Sequence, residues 1–150
     1  MRTVIQRVSE AKVSIEGMED QSIRAGYLVL LGIEEGDGEE DISYLLKKIT
    51  QMRIFPDEEG KMNHSLIDTD GELLIVSQFT LHASTKKGNR PSFIKAARPE
   101  LAERIYLHFV EEAKNLLPNK VKTGQFGASM KIQLCNVGPT TIIMDSKNKE

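Results

Sequence analysis

The stretch Leu73-Leu74-Ile75-Val76-Ser77-Gln78-Phe79-Thr80-Leu81-His82 constrains how the rest of the chain can be arranged. Its four consecutive aliphatic residues predict a strand that is buried on both faces. The run then passes directly into polar residues, and strand periodicity would place Gln78, Thr80 and His82 on one face. Polar groups at the end of a buried strand must be hydrogen-bonded or must border a cleft. Residues 77–82 are therefore a candidate site, with an ordinary hydrogen-bonded strand end as the alternative.

The remaining sequence predicts one α+β domain. The 150 residues are 39% hydrophobic and 28% charged, which is typical of a single globular domain. Strand-like runs outnumber helical ones and do not alternate steadily with them, which favours α+β over a doubly wound sheet. One helix is expected to begin near Asp37 and another at Pro99.

Several local predictions can be tested by the structure. Residues 2–8 and 11–16 predict two strands of a hairpin joined near Ser9-Glu10. A short helix is expected to end at Ala97. Two strands are predicted near the C-terminus, at 130–135 and 142–145, and a glycine-proline pair lies between them.

Composition and charge exclude several classes of protein. The single cysteine, Cys135, excludes an internal disulfide framework and is expected to be buried and inert. No apolar run approaches the roughly 20 residues that span a bilayer, and the first residues contain no apolar signal core, so we expect a cytoplasmic protein. The net charge of −2 argues against a broad nucleic-acid-binding face. The histidines and Cys135 lack paired metal-ligand spacing, so we predict no metal, and we also predict no other cofactor.

The glycine-proline pair belongs to the stretch Asn136-Val137-Gly138-Pro139-Thr140-Thr141. Such a pair between strands is usually a turn. Glycine also permits the backbone to approach a ligand closely, so a rigid loop followed by two hydroxyls is a plausible device for backbone-mediated selectivity.

This stretch and Ser77-Gln78-Phe79-Thr80 resemble the two signature motifs of the D-aminoacyl-tRNA deacylases. The resemblance covers nearly the whole chain, including the opening residues 1–8, the loop Lys87–Phe93 and residues 126–128. It departs at Thr140, where the family usually has an aliphatic or aromatic residue. The resemblance implies a homodimeric enzyme that hydrolyses the ester between tRNA and a D-amino acid or glycine, with its active sites at the dimer interface.

The resemblance also implies how such an enzyme would select its substrate. In the family the Gly-Pro peptide bond is cis, and the loop of one subunit enters the active site of the other. Gly138 and Pro139 would then crowd the position that an L side chain needs, whereas a D side chain points away.

The catalytic residues implied are Thr80, Gln78, Phe79 and Ser77. Backbone N–H groups of Phe79 and Thr80 are candidates for stabilising the oxyanion. Thr80 is either a covalent nucleophile, with His82 as its base, or a residue that orients the substrate while the 2′-hydroxyl of the terminal adenosine assists water.

Two further groups of residues are assigned roles in binding tRNA. Phe126, Gly127 and Met130 resemble the family's floor for the terminal adenine, and the alternative is that they are simply core. The second group, on a polar loop, would contact tRNA phosphates or would merely be solvated: Lys86, Lys87 and Arg90.

Together these observations predict an α+β domain of packed β-sheets, barrel-like or three-layered (ββα), with its helices on one outer side. Two other functions remain open. A hydrolase of small esters or peptides would use Thr80 and His82 without RNA, and a non-catalytic module would bind tRNA without cleaving the ester.

Overall fold

A computed structural model describes residues 1–149. Over these residues the chain forms eight strands, two α-helices and one short 3₁₀ turn. In chain order they are β1 (Arg2–Ile15), β2 (Gln21–Ile23), β3 (Gly26–Gly32), α1 (Glu39–Gln51), β4 (Phe55–Pro56), β5 (Met62–His64), β6 (Glu72–Ser77), the 3₁₀ turn (Phe79–His82), α2 (Pro99–Leu116), β7 (Val121–Thr123) and β8 (Met130–Asp145).

Six strands form one mixed sheet in the order β2-β1-β3-β6-β7, and β8 lies along the other edge of β1. Strand β1 is antiparallel to β2, β3 and β8, whereas β3–β6 and β6–β7 are parallel pairs. Strands β3 and β6 are continuous apolar runs, as expected for parallel strands that are covered on both faces. Strands β4 and β5 form a separate small ribbon.

The central strands of the main sheet, β3 and β6, are buried on both faces. On one face Val29 and Ile75 pack with residues of α1 and α2, including Leu45 and Phe109. On the other face a second cluster joins side chains of four strands with no helix, because the sheet curls upon itself. These residues are Val8, Ala11, Val13, Ile23, Leu28, Leu74 and Val76. The prediction of a single α+β domain with a barrel-like sheet is confirmed, and both helices pack on one face of that sheet, but in place of several packed sheets there is one six-stranded sheet and a small ribbon.

The predicted N-terminal hairpin is wrong. Strand β1 runs unbroken from Arg2 to Ile15 because β8 pairs with it over nearly its whole length. The β1–β8 register shifts twice near Ser9, once between Gln6 and Val8 and once between Val8 and Glu10, so the strand stays paired on both sides of Ser9. Such bulges bend a strand without ending it.

Both long helices form where the sequence predicts them, but the short helix ending at Ala97 does not. The backbone there is held by pairs to distant residues, including the Ala97 N–H donating to the Ile33 carbonyl at 2.9 Å. Helix α1 begins after Gly38, whose N–H donates to Asp41 Oδ2 at 2.9 Å, rather than with Asp37 as its cap. Neither helix of residues 1–149 is long and apolar enough to cross a membrane.

An exposed contact between the two helices gives the fold a small pH dependence. His108 Nε2 lies 2.6 Å from Glu39 Oε2, and this hydrogen bond raises the pKa of His108 above its ordinary value. The pair therefore stabilises the fold fully below the unfolded-state pKa of about 6.5, and the stabilisation disappears as the pH rises through the folded-state pKa.

We expect His108→Gln to lower the thermal unfolding midpoint by no more than about 2 °C near pH 5.5 and to leave it unchanged near pH 9. Glu39→Gln is the matched variant and should give the same pair of differences. An equal loss at both pH values would mean that ionisation of His108 is irrelevant to the contact.

Candidate active site

A pocket of about 680 Å³ opens where β6 ends, beside the beginning of α2 and the loop before β8. It brings together Ser77, Gln78 and Phe79 from one motif with Phe126, Gly127 and Met130 from a segment about 50 residues later. Further lining residues were not predicted from the sequence: Leu31, Ile33, Val76, Phe93, Ala96, Ala97, Arg98, Pro99, Ala102, Ala128 and Ile132. Apart from Arg98, these side chains are apolar and resemble ordinary core in the sequence, so no local signal distinguishes them.

The polar motif does not continue the strand, and the predicted shared face of Thr80 and His82 is wrong. The Gln78 N–H donates to the Leu31 carbonyl at 2.7 Å, and the chain then turns into the 3₁₀ turn. Strand β3 ends at Gly32, so residues beyond Gln78 have no neighbouring strand there to continue the ladder. In the turn Thr80 is exposed, whereas His82 is buried.

The contacts of Thr80 bear on whether it is a nucleophile or a residue that orients the substrate. Gln78 Nε2 donates to Thr80 Oγ1 at 2.6 Å. His82 Nε2 is buried without a hydrogen-bond partner among the described residues, so the geometry does not support His82 as the base for Thr80. The backbone N–H groups of Phe79 and Thr80 have no acceptor in the described part of the chain. Free N–H groups at the start of a helical turn are available to an incoming oxygen.

Aromatic contacts support both sides of the pocket. The ring of Phe79, 56% exposed, meets Phe93 edge-on with centroids 5.0 Å apart. Phe126 lies against Tyr106, with centroids 5.9 Å apart. The Tyr106 hydroxyl donates to the Ile75 carbonyl at 2.9 Å, and burial raises its pKa. Tyr106 is thus a fixed neutral support for Phe126.

The second motif forms a loop that leaves the β1–β8 ladder. Val8 pairs with Asn136 and Gln6 with Thr141, so residues 137–140 project from the sheet opposite a single residue, Arg7. The Gly138-Pro139 peptide bond is cis. The loop does not line the pocket of its own chain.

Arg7, which the sequence analysis did not single out, holds this loop. Its Nε and Nη2 donate to the Val137 carbonyl at 3.2 and 3.1 Å, and its Nη1 donates to the Ile54 carbonyl. Asn136 Oδ1 accepts the Thr140 N–H at 2.8 Å. Thr140 is buried and its hydroxyl has no partner in residues 1–149, so this side chain is packed as an apolar residue would be.

The segment that runs past the pocket, residues 73–99, carries charge of one sign. Residues 73–99 contain no aspartate or glutamate but carry five cations. Lys86, Lys87 and Arg90 lie on the loop and Lys95 follows it in the sequence, all outside the pocket lining, whereas Arg98 contributes to the pocket wall. All five are exposed, and in the described residues none forms an ion pair.

The expected burial of Cys135 is wrong, because within residues 1–149 β8 is an edge strand paired with β1 alone, and it presents this residue to solvent. Within residues 1–149 no group of three or more histidine, cysteine, aspartate or glutamate side chains is arranged to hold a metal ion.

Comparison with known proteins identifies the family. Residues 4–145 match the family model described as D-Tyr-tRNA(Tyr) deacylase. Proteins named D-aminoacyl-tRNA deacylase from Bacteroides thetaiotaomicron and Chromobacterium violaceum are 57% and 55% identical to the chain, each over 100% of both sequences. The structure of a c-Myc DNA unwinding element binding protein is 39% identical, with a TM-score of 0.91 over 97% of this chain and 98% of that one. A probable eukaryotic D-amino acid tRNA deacylase, 16% identical over 95% of this chain and 97% of that one, shares the fold at a TM-score of 0.74. With the two motifs placed at a pocket and on a projecting loop, the chain belongs to the D-aminoacyl-tRNA deacylase family.

Proposed function

We propose that the protein hydrolyses the ester bond of D-aminoacyl-tRNA, and of mischarged glycyl-tRNA, releasing the free amino acid and tRNA. The observation that carries the proposal is the pocket in which Ser77, Gln78 and Phe79 face Phe126 and Met130. It combines backbone donors, unpaired in the described chain, that can stabilise the oxyanion of acyl transfer with an aromatic floor on which a terminal base can stack. The names of the full-length relatives agree with this activity.

The chemistry is transfer of the acyl group to water. The free N–H groups of Phe79 and Thr80 would donate to the oxygen that becomes negatively charged in the transition state. Thr80 receives a hydrogen bond from Gln78 and has no histidine base beside it in the described chain, which supports an orienting role rather than a covalent one. In this scheme the 2′-hydroxyl of the terminal adenosine assists the attacking water.

Chirality would be selected by Gly138 and Pro139 of a partner subunit. The loop is exposed, hydrogen-bonded to Arg7 and Asn136, and does not line the pocket of its own chain. A second copy of the chain would receive it. Within residues 1–149 the outer edge of β8 pairs with no strand, and β8 carries exposed apolar side chains, including Val137 and Ile143 at 42% and 70%, which suits burial in a homodimer.

The tRNA would be oriented by charge and stacking. Phe126, with Gly127 and Met130, would hold the terminal adenine. Lys86, Lys87 and Arg90, free of ion pairs in the described chain, would contact phosphates without reading sequence. A cytoplasmic location remains a prediction.

The decisive experiment compares hydrolysis of matched D- and L-tyrosyl-tRNA by the purified protein. We expect the D ester to be cleaved at least about 100-fold faster, because a backbone wall cannot yield to an L side chain. Thr80→Ala should lower the rate by about tenfold, whereas loss of a covalent nucleophile would cost on the order of 10⁴-fold or more.

Other outcomes would select the alternatives. Binding of tRNA without loss of either ester would indicate a non-catalytic module. Equal cleavage of both esters would remove the selective role of Gly138 and Pro139, and equally fast cleavage of a free D-tyrosine ester would indicate a small-ester hydrolase.

A further inference from the structure

Arg2 connects the 3₁₀ turn of the site to the end of β8. Its Nη1 donates to the Leu81 carbonyl at 2.9 Å. Its Nε and Nη2 both donate to Asp145 Oδ2, at 3.1 and 3.0 Å. Within residues 1–149 no other donor reaches the Leu81 carbonyl, since the following turn bond runs from the Ala83 N–H to the Thr80 carbonyl. The turn is therefore anchored from outside by one guanidinium group.

The guanidinium itself is held in place. Asp145 is only 14% exposed in its side chain. Burial raises its pKa, but the Lys147 N–H and Arg2 donate to it and outweigh this, so the pKa lies below its ordinary value. A planar fork that satisfies a carboxylate on one side and a carbonyl on the other has little freedom to rotate.

The turn also fits closely against β3. A Cβ atom added at Gly32 would lie 3.0 Å from the Gln78 carbonyl oxygen and 3.0 Å from Leu81 Cβ. It would lie 3.1 Å from the ring of His82, which is buried on this side of the turn. Gly32 thus fixes how near the turn lies to the sheet, and Arg2 fixes the turn at its Leu81 carbonyl.

We propose that Arg2 is a positioning residue for the reaction, acting through the Leu81 carbonyl on the Phe79 and Thr80 N–H groups. The inference rests on the proposed function, because its consequence is a change in catalytic rate. Without Arg2 the Leu81 carbonyl turns towards water and the turn tilts, while the floor at Phe126 and Met130 remains. The rate of the chemical step falls and substrate binding does not.

The test measures kcat and KM for D-tyrosyl-tRNA with Arg2→Ala, Arg2→Lys and Asp145→Asn. Arg2→Ala should lower kcat by about 10- to 100-fold with KM within about twofold, since small displacements of catalytic groups are costly. Arg2→Lys should retain only part of the wild-type kcat, because one ammonium group cannot donate to the carboxylate and the carbonyl in the geometry of the guanidinium. The Arg2→Ala/Asp145→Asn double variant should be no slower than Arg2→Ala, because both act through one contact.

Arg24→Ala is the matched control, because Arg24 also donates to a carboxylate, that of Glu72, but lies away from the pocket. It should leave kcat unchanged. Ethylguanidinium added to Arg2→Ala should raise kcat of this variant at least about threefold. A ligand that merely stabilised the folded protein would not raise kcat in this way. An unchanged kcat, a loss confined to KM, or no rescue would each overturn the proposal.

Amide hydrogen exchange separates this proposal from the proposed function. In Arg2→Ala the Leu81 and Ala83 amides should exchange about tenfold faster than in the wild type, whether or not the protein cleaves an ester. If these amides exchange faster in Arg2→Ala but the wild-type protein hydrolyses no ester, the anchoring by Arg2 stands and the proposed function is contradicted. Unchanged exchange would contradict the anchoring by Arg2 itself.

Discussion

Gly138→Ala should reduce the rate of D-tyrosyl-tRNA hydrolysis by about 100-fold while leaving the pocket in its own chain intact. Gly138 has φ of +124°, a conformation that side chains rarely adopt. An added Cβ atom would lie 2.5 Å from Thr140 Oγ1 and 3.0 Å from Arg7 Nη2. Thr140 is buried and the Arg7 guanidinium is hydrogen-bonded to two carbonyls, so neither can easily make room and the loop itself must move. Under the proposed function, a displaced loop no longer fits the partner's pocket.

The control for this substitution is Gly17→Ala. Gly17 also has positive φ, +78°, but a Cβ atom added there would have no atom within 4 Å, so the substitution incurs the backbone cost without the collision. It should lower the thermal midpoint slightly and leave hydrolysis unchanged. Adding Thr140→Ala to Gly138→Ala removes the nearest colliding atom and should restore part of the rate. Full activity of Gly138→Ala alone would show that the loop's conformation does not matter for the reaction.

The parts of the fold that the sequence predicts well are those set by burial. The unbroken aliphatic runs in β3 and β6 give strands covered on both faces. The sequence predicts less well where a distant partner overrides a local signal. Ser9-Glu10 is a plausible turn in isolation, yet β8 holds β1 extended through it.

The same distinction applies to the candidate site. The motif residues Ser77, Gln78 and Phe79 do lie at a pocket with Phe126, but the sequence could not show that the strand becomes a 3₁₀ turn after Gln78. That change depends on where β3 ends, more than 40 residues earlier. Arg2 and Arg7 were missed for a related reason. Both act on backbone carbonyls, and a carbonyl partner leaves no complementary residue type in the sequence.

Arg7→Met should destabilise the protein and, under the proposed function, impair discrimination between D and L esters. Arg7 is 8% exposed and bonds two carbonyls, those of Val137 and Ile54, with no carboxylate among its hydrogen-bond partners in residues 1–149. The Val137 carbonyl lies on an exposed loop and can be rehydrated, whereas Ile54 is buried. Leaving one buried carbonyl unpaired costs about 1–3 kcal/mol, and we expect a loss of about 2 kcal/mol in the free energy of unfolding.

The expected effect on discrimination follows from the loss of the hydrogen bonds to the Val137 carbonyl. Without two donors on Val137, the residues before Pro139 are free to shift, and the wall that would exclude an L side chain is no longer fixed. We expect the ratio of D- to L-ester hydrolysis to fall at least about tenfold, measured with matched tyrosyl-tRNAs. Arg7→Lys retains the charge but offers a single ammonium group, so it should lose discrimination while recovering little stability.

Arg53→Met provides the comparison for Arg7→Met, because Arg53 also donates to a carbonyl, that of Asn63 at 2.8 Å, but is exposed. Urea unfolding should show a loss of less than about 0.5 kcal/mol for this variant, with the D-to-L ratio unchanged. If Arg7→Met loses stability but keeps the full ratio, the loop is rigid without Arg7. In that case the conformation of Gly138 and the Asn136 side chain, which accepts the Thr140 N–H, would suffice to hold the loop in place.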